Sequence, residues 1–164
     1  MATLLELDRQ GKLFRLDPAL DDPQQEFRTL YASPRLHKWL REVLPTLGST
    51  WNIELSPLEQ LDAFMEVYAS GDTMTYQRSF YPISHVGNCV WELKTADLRI
   101  FGWFAIRDCF IGVAADTTER VKLHNLYHWY AGEAARFLEN LELDEPKFVA
   151  GDDPNAVVSN FDYP

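Results

Sequence analysis

Three strand-like apolar runs with two-residue connectors constrain this chain more than any other feature. The runs are NCVWELKT, LRIFGWFAI and CFIGVAA, joined by Ala96-Asp97 and Arg107-Asp108. A connector that short closes a hairpin, whereas a parallel crossover needs a dozen residues or more. Residues 88–115 are therefore predicted to form an antiparallel three-stranded meander. In the first run Val90, Glu92 and Lys94 alternate with Cys89, Trp91 and Leu93, which separates a partly polar face from an apolar one. The other two runs are nearly apolar on both sides and belong in the centre of a sheet. Trp91 and Phe101 are expected in the core.

Helical periodicity brackets the meander. Ser33-Pro34 opens a stretch in which Leu36, Trp39, Leu40 and Val43 recur at helical spacing before Pro45 stops it. Ser56-Pro57 opens another, with Glu59 three residues after the cap and Gly71 as the terminator. A short helix is expected from Pro23 through Tyr31, capped by Asp22. The opening LLELDRQGKLFRL reads as a hairpin turning at Gly11, and YQRSFYPISH as extended chain. After the meander, Leu123, Leu126, Tyr127, Tyr130, Ala134, Phe137, Leu138 and Leu141 predict one long helix over about 119–142, with Gly132 inside it at a close helix–sheet contact. The fold class is α+β, with an antiparallel sheet of three to five strands packed against several helices. Residues 1–143 form one domain, and 144–164 an acidic tail without periodicity, lying on the surface or disordered.

Charge narrows the function. The net charge is −10, with balances of −5 over residues 1–77, +1 over 78–130 and −6 over 131–164. Such a chain is repelled by phosphate backbones unless a local basic patch overcomes the overall field. No apolar run approaches the ~20 residues of a membrane helix, and the N-terminus lacks the basic start of a signal peptide, so a cytoplasmic protein is expected. Cys89 and Cys109 lack metal or redox spacing and are expected to be reduced structural thiols. His124 and His128 stand four apart, as metal ligands on a helix can. However, Asn125 sits where the glutamate of an HExxH site would be, and no third ligand is evident, so no metal or cofactor is expected.

The stretch around Val90-Trp91-Glu92-Leu93 and Leu98-Arg99-Ile100-Phe101, with a helix and a proline-containing segment before it and a third apolar strand after it, resembles the core of the RelE/HigB-like toxin superfamily, most of all its phage-derived branch. The resemblance covers about a third of the chain. It implies a RelE-like core of helices on an antiparallel sheet, with an N-terminal extension and an acidic C-terminal arm. It also implies a metal-independent endoribonuclease of a toxin–antitoxin or prophage system, acting on mRNA or the ribosome and held by an antitoxin protein. Carried over by position, Lys94 and Arg99 become the cations on adjacent strands, and Lys122 and His124 the basic residues after the third strand. Together with Arg107 they would form a basic concave face. The family's lysine-rich segment is replaced here by ADTTERVKLHNLYH.

Each candidate also has a purely structural role open to it. Arg99 and Lys94 fit solvated strand positions, Glu92 can pair with Arg99 across the hairpin, and Tyr127, Trp129 and Tyr130 can pack rather than stack on bases. The second functional class is a non-catalytic interaction protein, either a degenerate toxin-like fold or a phage accessory protein, whose acidic surface suits a basic protein partner.

Overall fold

A computed structural model describes residues 1–21, 24–83 and 89–164. At its centre stand β5 (Trp91–Lys94), β6 (Leu98–Ile106) and β7 (Cys109–Thr117), paired antiparallel in sequence order as the short connectors require. Asn88, expected to open the first run, lies outside the described residues. The meander belongs to a six-stranded sheet. β4 (Phe80–Pro82) adds antiparallel to β5, while β2 (Thr29–Ala32) lies parallel to β7 and carries β1 (Phe14–Arg15) at the far edge. The sheet therefore exceeds the expected three to five strands and contains one parallel pair.

Helices cover both faces. α2 (Pro34–Glu42) and α3 (Pro57–Ser70) start at the two predicted serine caps, and α3 ends at Gly71 with φ +81°. They pack on one face, where Leu36, Leu61, Met65 and Tyr68 meet Trp91, Leu93, Ile100, Phe104 and Phe110. α1 (Leu4–Arg9), α4 (Thr118–Leu123) and α5 (Tyr127–Asn140) cover the other, where Leu7, Val121, Tyr130, Ala134 and Leu138 meet Phe101, Trp103 and Ile111. Trp91 and Phe101 are both fully buried, on opposite faces. No helix among the described residues is long and apolar enough to cross a membrane.

Several local expectations are corrected. The N-terminal stretch is the helix α1, not a hairpin: Thr3 and Glu6 close a reciprocal capping box, and Gly11 takes its φ of +70° in the turn after it. Residues 29–31, expected to be helical, are extended in β2, because pairing with β7 satisfies their backbone. The Asp22-Pro23 start of that predicted helix lies outside the described residues. The stretch from Tyr76 is interrupted by a turn before β4, and its end at His85 is likewise outside them. The long helix is two: α4 stops at His124, Asn125 takes φ +51°, and α5 starts two residues later. His124 and His128 therefore do not share a helix face. A Cβ at Gly132 would meet nothing within 4 Å. The close approach is instead at Gly102, where a Cβ would fall 1.9 Å from the Ile111 carbonyl oxygen in the neighbouring strand.

The largest correction concerns residues 144–164, which join the core rather than trail from it. Val149 N–H donates to the Phe104 carbonyl at 2.8 Å, and the Trp103 indole donates to the Lys147 carbonyl at 3.0 Å. α6 (Pro154–Val157) ends on Val157 and Val158, both fully buried. β8 (Phe161–Asp162) then pairs parallel with β3 (Met74–Thr75). Two polar anchors, one half-buried and one fully buried, hold this segment. Asp108, in the β6–β7 turn with φ +65°, accepts from Ser159 N–H and Oγ at 2.8 and 2.6 Å. The guanidinium of Arg28, with no exposed surface, donates to the carbonyls of Val67, Tyr68, Ser159 and Asn160.

Three stability measurements follow from this packing. Removing residues 146–164 should lower the melting temperature sharply, because it takes Val157 and Val158 out of the core and uncovers the Arg28 guanidinium. Arg28→Met should cost about 3–5 kcal/mol in urea denaturation, since it strands buried carbonyls and Asp108. Gly132→Ala should gain about 0.5–1 kcal/mol, because the helix loses its most flexible residue and the new methyl meets open space.

Candidate functional site

Two polar assemblies lie near the ends of the meander strands. The first contains two of the four residues singled out from the sequence, Lys94 and Arg99. Register places Lys94 directly opposite Arg99, and Arg99 opposite Asp116, so these three form one cross-strand row. Glu92 sits opposite Phe101, and its ion pair is with Lys94, Nζ to Oε1 at 3.7 Å, rather than with Arg99. Two adjacent cations would repel; Glu92 beside them and Asp116 across from them offset that repulsion.

The whole row lies on the face that α4 and α5 cover. Arg99 is only 7% exposed. Its Nη1 donates to the Thr95 and Leu98 carbonyls at 2.7 and 3.0 Å and to Thr118 Oγ1 at 2.9 Å. Lys94 Nζ donates to the Gln77 carbonyl at 2.8 Å. Glu92 is buried, and its Oε2 has no hydrogen-bond partner. Burial holds its pKa above the ordinary carboxylate value against the pull of Lys94, Arg99 and Lys122. Burial likewise lowers the pKa of Lys94, against the attraction of Glu92. Three cations thus act on one buried carboxyl, and two of them, Arg99 and Lys94, also bond backbone carbonyls.

The remaining candidates are dispersed. Lys122 is exposed on α4 and reaches the Glu92 group electrostatically. His124 is exposed at the end of α4. Arg107 lies in the turn beyond the far end of β6, eight residues and roughly 25 Å from Arg99 at strand spacing, so it cannot share their site. Tyr127 and Tyr130 pack on Phe101, edge-on and stacked respectively, while Trp129 faces solvent. Cys89 and Cys109 are free, and burial raises both thiols. No group of three or more His, Cys, Asp or Glu with metal-holding geometry occurs among the described residues.

The second assembly is a cleft of about 310 Å³ where α2 meets the α4–α5 pair beside β7. Trp39, Val43 and Leu47 form its apolar side, and Arg35, Asp116, Arg120 and Tyr130 its polar side. Asp116 organises it, accepting from Tyr130 Oη at 2.6 Å and from Arg120 Nε at 3.1 Å. Burial, and then the bond to this carboxylate, push the Tyr130 pKa up to about 12. Arg35 lies over the Tyr130 ring and 3.6 Å from Glu133. Each cation here already has an acidic partner, so the cleft has no uncompensated charge. Sequence reasoning missed this group, although Asp116 and Arg120 at i, i+4 and a tyrosine in the helical stripe were visible signs.

Glu92 gives a pH test of its environment. Its folded-state pKa is raised, so its contribution to stability is complete below the ordinary value near 4.5 and is lost as pH rises through the raised value. The stability of Glu92→Gln relative to the unsubstituted protein should therefore grow in the variant's favour across that window in urea titrations. A flat difference would show an exposed carboxylate. Among known proteins, no family model, no curated protein and no solved structure matches this chain.

Proposed function

We propose that this chain is a non-catalytic interaction module whose partner is a basic protein. One observation carries the reading: Arg99, the central cation that would serve a phosphate, is buried on a sheet face covered by helices, and Lys94 beside it is half-buried. Arg99 Nη1 is taken by two backbone carbonyls and Thr118, and Lys94 bonds the Gln77 carbonyl and pairs with Glu92. The surface left to solvent carries most of the −10 net charge, which favours association with a positively charged protein and opposes RNA. A degenerate toxin-like fold or a phage accessory protein fits this description equally.

A second reading, the toxin-like mRNA endoribonuclease held by an antitoxin, draws support from the Glu92 group. Lys94, Arg99 and Lys122 all act on one buried carboxyl, and an in-line attack by a ribose 2′-hydroxyl needs a base and cations close together. The two readings part on a direct assay. Purified protein incubated with mRNA, with and without ribosomes, should leave the RNA intact, and its expression should not arrest growth. Cleavage that disappears in Glu92→Gln or Arg99→Ala variants with unchanged melting temperature would overturn the interaction reading. The loss expected on removing a transition-state cation is roughly 10²–10³ in kcat.

A further inference from the structure

The loop between α2 and α3 carries a concentration of exposed apolar side chains. Trp51, Ile53 and Leu55, at every second position, are 52%, 38% and 42% exposed. Large apolar groups on a well-held loop call for a reason, because nothing in the loop's own hydrogen bonding requires them to face water. The loop is well held. Thr50 N–H donates to the buried Asp97 carboxylate at 3.1 Å, and its hydroxyl to Glu119 at 3.1 Å. Gln60, itself bonded to Asp97, donates to the Leu55 carbonyl at 3.1 Å. Loop, α3 and the β5–β6 turn thus share one anchor, so the apolar groups are presented with little ordering left to complete on binding.

Leu55 is also the lip of a trough of about 500 Å³ between α3 and the segment after β1. Asp17, Glu59, Asp62 and Glu66 line it, and no Lys, Arg or His does so among the described residues. Glu54 adds a fifth carboxylate in the loop itself, and among the described residues none of the five is ion-paired. This differs from the cleft around Asp116, where every charge is compensated. Carboxylates without ion-pair partners, joined through Leu55 to an apolar loop, match a surface in which apolar side chains alternate with Lys or Arg. A phosphate-bearing ligand would be repelled.

We infer that the Trp51–Leu55 loop and the adjoining trough form one docking surface for a basic segment of a partner protein that also carries apolar side chains. This rests on the protein-binding reading above and adds to it the surface and the chemistry of the partner. Tryptophan at the centre of such a contact carries a disproportionate share of affinity, while the carboxylates set orientation and approach rate.

The probe is a short synthetic amphipathic peptide of Lys and Leu, titrated into the isotopically labelled full chain at about 0.15 M salt, where long-range attraction is screened. The Trp51 indole N–H resonance should shift, while that of Trp129, equally exposed on α5, should stay in place. Trp51→Ala/Leu55→Ala and Asp62→Asn/Glu66→Gln should each weaken binding roughly tenfold or more without changing the melting temperature. Glu59 is left intact because it caps α3. Binding that shifts Trp129 instead, or is indifferent to the Trp51 and Leu55 substitutions, overturns this surface and leaves the interaction reading standing. Absence of binding by the unsubstituted chain overturns the basic-partner reading itself.

Discussion

A single buried guanidinium holds together the parts of this fold that are most distant in sequence. Arg28 precedes β2, yet its donors reach the last turn of α3 and the residues before β8, and its Nε lies 3.4 Å from Asp108 in the β6–β7 turn. Removing a charge from water costs several kcal/mol, which is tolerable only when hydrogen bonds and an opposite charge replace the lost solvation. Arg28 has four carbonyls and one carboxylate, so the cost is met only when all of those segments are in place. That condition makes the C-terminal segment part of the domain. Asp108 works in the same sense from the other side, bonding Ser159 through both carboxylate oxygens.

Closing the domain in this way has a functional consequence. With α2 and α3 on one face and α1, α4 and α5 on the other, no broad sheet face is left open. The cross-strand row Lys94–Arg99–Asp116 then becomes an internal electrostatic arrangement. Two cations and a carboxylate stand opposite one another, and Glu92 supplies the fourth charge from the neighbouring position. The exposed chemistry shifts to the rim, to the Trp51–Leu55 loop and the acidic face of α3. The segmental charge balance of the sequence anticipates this, since the near-neutral stretch is the one that folds inward.

What was legible in the sequence was local. Two-residue connectors dictate hairpins, and the serine caps at 33 and 56 set the starts of α2 and α3, because these signals depend on neighbours a few residues apart. What was not legible depends on distant partners. Residues 29–32 became a strand because β7 offers a free edge, and nothing near Thr29 announces it. The break at Asn125 escaped because the apolar stripe runs on through it; only the asparagine hinted at a left-handed residue. The tail misled because Val157, Val158 and Phe161 are too few to form a period, yet each fills a prepared place. Of the candidate site, sequence position brought Lys94, Arg99 and Lys122 towards one carboxyl but said nothing about burial, which decides whether they are available.

Availability can be weighed in energetic terms. To meet an external phosphate, Arg99 would surrender bonds to Thr95, Leu98 and Thr118, and hydrogen bonds to charged groups are worth about 1.5–3 kcal/mol each. The last of these, Thr118, is the first residue of α4 and ties the guanidinium to that helix. One phosphate contact, in the field of a −10 protein, does not repay those three hydrogen bonds. Trp51 faces the reverse balance. Its indole is already half in water, its loop is already anchored, and covering it gains roughly 25 cal/mol for every Å² of apolar surface removed from solvent. Opening the buried cations would therefore cost free energy, whereas covering the exposed apolar loop would release it, and that is the balance the proposed binding role requires.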